Sequence, residues 1–201
     1  MAFINLKDKV IPAKIVYYGP GRCGKTTNLE YVYDKCRTQV NSEMVTVKTQ
    51  GDRTLFFDFF PFDMGKISGY DVKIQLYTVP GQVKYNSTRR LVLKVVDGVV
   101  FVADSAADRR NKNIISIRNL EENLTLYNKD IREIPLVIRY NKRDLEKQGV
   151  EILDVKTLDE DLNSELKVPT FEASAVEGTN VVLTLKKIIY LTMSSLEKQL
   201  Q

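Results

Sequence analysis

Gly19-Pro20-Gly21-Arg22-Cys23-Gly24-Lys25-Thr26-Thr27 is the stretch whose reading decides the fold. It fits the phosphate-cradling pattern Gly-x4-Gly-Lys-Ser/Thr. Ahead of it, Ala13-Lys14-Ile15-Val16-Tyr17-Tyr18 is a β-branched and aromatic run that predicts a buried strand. Behind it, Leu29, Val32, Tyr33 and Cys36 recur at i, i+3, i+4 and i+7, one face of a helix. In that setting Gly19, Gly21 and Gly24 free the backbone to turn its N–H groups onto phosphate oxygens. The unpaired N–H groups and dipole of the following helix add to the attraction. Lys25 is expected to reach the β- and γ-phosphates, and the Thr26 hydroxyl to ligate Mg²⁺. Arg22, Cys23 and Thr27 complete the candidate nucleotide-binding loop. The bland alternative is a glycine turn with an incidental lysine, and the flanking strand and helix argue against it.

The 201 residues suffice for one well-buried core and not for two ordinary domains, so residues 1–201 are read as one nucleotide-binding domain. With 43% hydrophobic and 28% charged residues the composition is that of a globular protein rather than a disordered one. A net charge of +4 is too mild to argue for nucleic acid. Arg89-Arg90, Arg109-Arg110 and Lys186-Lys187 are expected to be solvated faces. No apolar run approaches the ~18 residues of a membrane span, so no integral membrane segment is expected. Met1-Ala2-Phe3-Ile4-Asn5 resembles neither a secretory leader nor a myristoylation site, and no terminal cysteine offers prenylation. A free cytoplasmic protein is the expectation. Cys23 and Cys36 are not expected to pair; Cys23 reads as a small filler more than as a redox-sensitive thiol.

The chain has no histidine, which excludes Ser-His-Asp and Cys-His catalysis, histidine metal sites and a histidine pH switch. Its chemistry must come from Lys, Arg, Gln, Thr, carboxylates, backbone groups and a borrowed metal.

Along the chain, Met44-Val45-Thr46-Val47 predicts a short extra strand. Thr54 to Phe60 predicts a strand closed by Pro61, hairpinned through Gly69-Tyr70 to a strand at Asp71 to Tyr77. A helix is expected near Thr88 to Val96. A buried strand follows at Gly98 to Ala103, then a long helix carrying Ile117, Leu120, Leu124 and Tyr127. Pro135 to Tyr140 reads as another buried strand. A helix at Val155 to Leu166, a strand at Thr170 to Glu172 and a final helix from Thr179 to Gln199 complete the order. That helix places Val181, Leu185, Ile188, Ile189, Thr192 and Leu196 on one face. Strands alternating with helices predict an α/β fold: a mostly parallel sheet of six strands or slightly more, covered on both faces.

The remaining motifs fall at carboxyl ends of predicted strands, where ligands sit in such folds. Asn141-Lys142-Arg143-Asp144 follows Tyr140 directly. The Asp144 carboxylate can accept from the N1–H and amino group of guanine, which adenine cannot match, and sites built this way reject the wrong partner by roughly 10⁴ or more. Asn141 can serve the acceptor edge of guanine. Ala173-Ser174-Ala175 can support the base through a backbone N–H. At the end of the second hairpin strand, in Thr78-Val79-Pro80-Gly81-Gln82, Gly81 can offer its N–H to a γ-phosphate and Gln82 can orient the attacking water. Thr54 is a candidate second hydroxyl ligand for Mg²⁺, and Arg53 a candidate to neutralise transition-state charge.

Taken together these residues resemble small Ras-like GTPases over the full length. More narrowly, the chain resembles the bacterial MglA (mutual gliding protein A) group of cell-polarity GTPases. The resemblance is carried by residues 14–21, 53–59, 77–82, Val102-Ala103-Asp104-Ser105 and Asn141-Lys142-Arg143-Asp144. Thr78 stands where most Ras-like proteins have a Mg²⁺-supporting aspartate, and a threonine there is typical of the MglA group. The resemblance implies a switch between GTP and GDP states that marks one cell pole and controls gliding or related surface behaviour through polarity and motility effectors. It also implies a dimeric Roadblock-fold activator of MglB type, an intrinsic catalytic arginine matching Arg53, and a strand that shifts with the nucleotide. A nucleotide-bound scaffold that does not hydrolyse and a metabolic P-loop kinase are the competing readings. Gln82 and Arg53 argue against the first, and Asn141 to Asp144 against the second.

Overall fold

In the computed structural model, residues 9–36, 45–49, 53–67, 69–82 and 85–200 are described. The phosphate loop hangs from strand β1 (Val10–Tyr18), in the middle of a seven-stranded sheet. The other strands are β2 (Val45–Thr49), β3 (Arg53–Ile67), β4 (Tyr70–Thr78), β5 (Gly98–Asp104), β6 (Leu136–Asn141) and β7 (Thr170–Glu172). Their order across the sheet is β2-β3-β4-β1-β5-β6-β7. From β4 through β1, β5 and β6 to β7 every neighbouring pair is parallel, and β3 joins β4 and β2 antiparallel. The fold is therefore the expected α/β architecture with a mostly parallel sheet.

Period-2 alternation assigns the core. Ile11, Ala13, Ile15 and Tyr17 of β1, with Val100 and Val102 of β5, face a cluster built with α1 (Lys25–Cys36) and α5 (Val181–Leu200). Val16 and Tyr18, with Val99, Phe101 and Ala103, face the opposite cluster. That second cluster is closed by α2 (Asn86–Leu93), α3 (Arg110–Thr125) and α4 (Val155–Leu162). All seven residues of β5 are buried, which is why that strand reads as an uninterrupted apolar run. Val181, Leu185, Ile188, Ile189, Thr192 and Leu196 of α5 are all buried, as the helical period predicts.

Several elements differ from the expectation. β3 does not stop at Pro61 but runs to Ile67. Among the described residues β2 pairs with β3 only as far as Phe59, and beyond it none of them pairs with that side of β3, so a missing N–H there breaks no described ladder. α4 ends at Leu162 rather than Leu166: the Asn163 side chain exchanges hydrogen bonds with the Val168 backbone at 2.9 and 3.0 Å and closes a turn. Asp154 caps the start of α4 by accepting from the Thr157 N–H at 2.6 Å.

The basic pairs were expected to be solvated, and two arginines among them are not. Arg89 is 0% exposed, with its guanidinium 4.3 Å from the centre of the Tyr18 ring. An aromatic face and a hydroxyl partner let a helix carry a cation inward where charge alone would keep it in water. Arg109 is turned inward onto the phosphate loop.

Candidate functional site

The carboxyl ends of β1, β4, β5, β6 and β7 converge on one edge of the sheet, and nearly every candidate residue lies there. Gly19 (φ +146°) and Gly24 (φ +94°) occupy backbone conformations that L side chains rarely adopt. A Cβ on Gly19 would run into the Val102 carbonyl, and one on Gly24 into the Asn141 side chain. The third unusual turn of the loop falls on Arg22 (φ +65°) rather than on Gly21. At Gly21 a Cβ would sit in ordinary contact, 3.7 Å from Gln82 Cγ and from the Gly81 carbonyl carbon. Gly81 itself is pressed onto the loop, and a Cβ on it would collide with the Gly21 and Pro20 backbone. The loop after β4 thus lies directly against the phosphate loop.

Lys25 opens α1 and is buried; its ammonium donates to the Pro20 carbonyl at 2.7 Å and the Gly19 carbonyl at 3.1 Å. That arches it back over the loop whose N–H groups would hold phosphates. Thr26 and Thr27 stand half-buried in the same first turn, and Arg22 is exposed. Cys23 is a free, fully buried thiol within the core cluster, which suits a small filler. The Cys36 side chain and those of Arg53 and Thr54 lie outside the described residues, although β3 begins at Arg53.

Asn141 is the strut of the site. Its Nδ2 donates to the Cys23 carbonyl at 2.7 Å, and its Oδ1 accepts from the Ala175 N–H at 2.9 Å. One amide therefore ties the phosphate loop to the loop after β7. In the same loop the Ala175 N–H goes to Asn141, and the Ser174 N–H to the Thr179 carbonyl at 3.3 Å. Lys142 adopts a left-handed conformation (φ +69°), and its ammonium is 2.8 Å from Asp104 Oδ2. Asp144 is 8% exposed, and its Oδ1 is buried without a hydrogen bond from the protein. A buried acceptor left open in this way fits a ligand carrying N–H groups.

Three residues of the site were given no site role from the sequence: Asp104 entered only within the resemblance stretch Val102-Ala103-Asp104-Ser105, Arg109 only as half of a basic pair, and Arg139 only as part of a strand. Asp104, fully buried at the end of β5, holds Lys142 and lies 3.6 Å from Arg109 Nε, and its main chain exchanges two hydrogen bonds with the Asn113 side chain. Arg109 donates to the Gly21 carbonyl at 2.5 Å. Arg139, fully buried in β6, donates to the Thr179 and Asn180 carbonyls and to Thr184 Oγ1 at 2.8–2.9 Å. Burial pushes its pKa down to about 10.

Among the described residues no group of three or more His, Cys, Asp or Glu is placed to hold a metal ion. A metal here would rely on hydroxyls and on ligand oxygens; Thr26 lies in the first turn of α1. Among the described residues no helix is long and apolar enough to cross a membrane.

The sequence profile of the ADP-ribosylation factor family matches residues 2–191. The chain is 46% identical over 198 residues to Mutual gliding-motility protein MglA of Myxococcus xanthus (strain DK1622), covering 98% of this chain and 99% of that protein. It is 25% identical over 197 residues to Ras-related protein Rab-27B of Rattus norvegicus, covering 92% of this chain and 81% of that protein.

Proposed function

Because the chain belongs to the ADP-ribosylation factor family of Ras-like small GTPases, within it to the MglA group, we propose that it is a GTP-driven switch controlling gliding or related surface movement. The observation that carries this reading is the Asn141 strut, which joins a phosphate loop to a base-facing edge containing the open Asp144 acceptor. Near-full-length identity to a gliding-motility protein supplies the cellular role.

On this reading the N–H groups of residues 21–26 hold the phosphates of GTP, and Lys25 and the dipole of α1 neutralise their charge. Asp144 accepts from guanine, and the second Nδ2 hydrogen of Asn141 faces its acceptor edge. Thr26 and Thr54 would hold Mg²⁺, with the Thr78 hydroxyl nearby, and the ion would supply charge neutralisation to the phosphates. Gly81 offers its N–H to the γ-phosphate. Gln82 orients the attacking water, and Arg53 neutralises charge on the transferring group. Hydrolysis is slow until a partner of Roadblock fold and MglB type, acting as a homodimer, orders these last two residues. Polarity and motility effectors read the GTP state and concentrate the otherwise free protein at a cell pole.

The experiment is nucleotide analysis of the purified chain followed by single-turnover hydrolysis of GTP with Mg²⁺. Guanine nucleotide alone, converted slowly to GDP and phosphate, supports the proposal. Adenine nucleotide, or phosphate passed to a small acceptor, would replace it with a kinase. Bound GTP that never turns over would replace it with a scaffold.

A further inference from the structure

The buried face of α3 is divided. Ile117, Leu120 and Leu124 pack in the core, while Ser116, Asn119 and Asn123 form a polar stripe at i, i+3 and i+7. Burying amides is costly unless they are paired, and these are paired across three elements. The Tyr18 hydroxyl, at the end of β1, donates to Asn119 Oδ1 at 2.8 Å. Asn123 Nδ2 donates to Asn86 Oδ1 at 2.8 Å and to the Tyr18 oxygen at 3.0 Å. Asn123 Oδ1 accepts from Arg90 Nε at 3.0 Å, and Ser116 Oγ from Arg89 Nη2 at 3.0 Å. Asn86, Arg89 and Arg90 all belong to α2, and Tyr18 directly precedes Gly19 of the phosphate loop. The α2 helix is thus fastened to the root of that loop through one asparagine of α3. Burial raises the Tyr18 pKa to about 12, so its hydroxyl keeps the proton it donates at neutral pH.

What α2 carries is Gln82. The Tyr85 N–H, one residue ahead of α2, donates to the Gln82 carbonyl at 3.1 Å. The next residue is Asn86, which Asn123 holds. We infer that Asn86 and Asn123 are positioning residues for hydrolysis: their hydrogen bond fixes the start of α2 relative to Tyr18 and so keeps Gln82 beside Gly21. A satisfied network of buried hydrogen bonds has one geometry, whereas two apolar helix faces can slide. Hydrolysis depends on that geometry, because the water-orienting group works only where it is placed. Both asparagines act through the loop after β4 and not on the nucleotide. The consequence for turnover rests on the GTPase reading above; the fastening of α2 does not.

The test is single-turnover hydrolysis of GTP with Mg²⁺ by the full chain, read beside nucleotide affinity and hydrogen exchange of the Tyr85 N–H. Asn86 is half-buried at the first position of α2, so Asn86→Ala should fold. It should hydrolyse bound GTP about fivefold more slowly, the worth of one neutral hydrogen bond, with GTP affinity unchanged. Asn86→Asp keeps an acceptor for Asn123 Nδ2 and should restore the rate. In a Gln82→Leu background Asn86→Ala should add nothing, because both changes act on one group. An effect that persists in that background, or an unchanged rate in Asn86→Ala, overturns the inference. The Tyr85 N–H reads the fastening without turnover: its protection should fall in Asn86→Ala and return in Asn86→Asp. Equal protection in all three chains overturns the inference as well. No hydrolysis by the unsubstituted chain, with protection lost in Asn86→Ala, would instead fail the GTPase reading and leave the fastening of α2 standing.

Discussion

Arg139 donates from Nη2 to the Thr179 carbonyl at 2.9 Å, and the same carbonyl accepts the Ser174 N–H at 3.3 Å. Arg139 and Asn141 sit two residues apart on β6, so they project to the same side of the strand. One holds the far end of the 173–180 loop and the other its near end, at Ala175. Gly178 closes the loop against the Tyr31 ring of α1, where a Cβ would collide. The buried arginine thus acts on the loop after β7 through backbone carbonyls. Arg139→Met should raise the dissociation rates of GDP and GTP alike, on the order of tenfold for the loss of charged hydrogen bonds. Hydrolysis of GTP already bound should be unchanged. Stopped-flow release of a fluorescent nucleotide, read beside single-turnover hydrolysis, separates the two. An effect on hydrolysis with normal release would contradict a positioning role.

Asp144→Asn tests the base contact. The open Oδ1 acceptor becomes an amide that places a donor where an acceptor is needed. Guanine nucleotides should bind on the order of 10²-fold more weakly or worse, by analogy with sites that lose a buried polar match. Because the Asn141 bridge does not involve Asp144, the melting temperature of the nucleotide-free chain should barely move. Equal affinity of the unsubstituted chain for GTP and ATP would remove the premise.

Turnover is exposed to three substitutions. Gln82→Leu and Arg53→Ala should lower the activated hydrolysis rate by about 10³ or more while leaving GTP affinity largely intact. Gly21→Val should do the same by a different route. Its Cβ position is 3.7 Å from Gln82 Cγ, so the branched methyls displace Gln82 rather than only crowding the phosphate. Single-turnover assays with an activator present check all three. Stimulated turnover unchanged in Arg53→Ala would reduce that arginine to a surface charge.

The order of elements was legible because each signal was local: an apolar run for β5, a 3.6-residue period for α5, glycines at forced conformations in the phosphate loop. What stayed hidden was long-range. Arg139 stands inside Leu136-Val137-Ile138-Arg139-Tyr140, and the strand is plain, but its acceptors are carbonyls some forty residues later. Carbonyls carry no sequence signal. Arg89 looked like one half of a surface pair because its solvent substitutes, the Tyr18 ring and Ser116, come from β1 and α3. The end of β3 was misplaced for a related reason: proline stops a strand only where a neighbour needs its N–H.

Thr78 closes β4 and is fully buried. An aspartate there would put a negative charge beside the bound cation, where threonine offers only a hydroxyl. Thr78→Asp should therefore tighten Mg²⁺ in the GDP state, on the order of tenfold for one added charge near the ion. A Mg²⁺ titration of the GDP complex measures it, and unchanged affinity would place Thr78 away from the metal.

The last prediction concerns β3. Phe56, Phe57, Phe59, Phe60 and Phe62 repeat with an offset of three residues. In this structure Phe59 pairs with Tyr77, Phe60 with Leu76 and Phe62 with Ile74. Residues 53–57 therefore project past the end of β4, and Arg53, Thr54 and Phe56 among them pair with β2. The hairpin closes tightly, with Ile67 opposite Tyr70, so β3 cannot slide further out of its loop. It can only slide back. A retreat of three residues, about 10 Å at ~3.3 Å per residue, would set Phe56 opposite Tyr77 and Phe59 opposite Ile74. An odd slip turns side chains to the wrong face, so the strand must also rotate by half a turn. The register break between Asp63 and Lys66 marks where the extra residues can be taken up. The same move draws Arg53 level with Pro80, beside Gly81 and Gln82, and brings Thr54 with it. The register seen here is thus the withdrawn one, expected with GDP. Phenylalanine replaces phenylalanine in both registers, so a γ-phosphate contact of a few kcal/mol suffices to choose between them. Structures with GDP and with a non-hydrolysable GTP analogue give the answer. Phe59 opposite Tyr77 with GDP and Phe56 opposite Tyr77 with the analogue is the expected pair. The same register in both would mean that the strand is fixed and that Arg53 reaches the phosphates by another path.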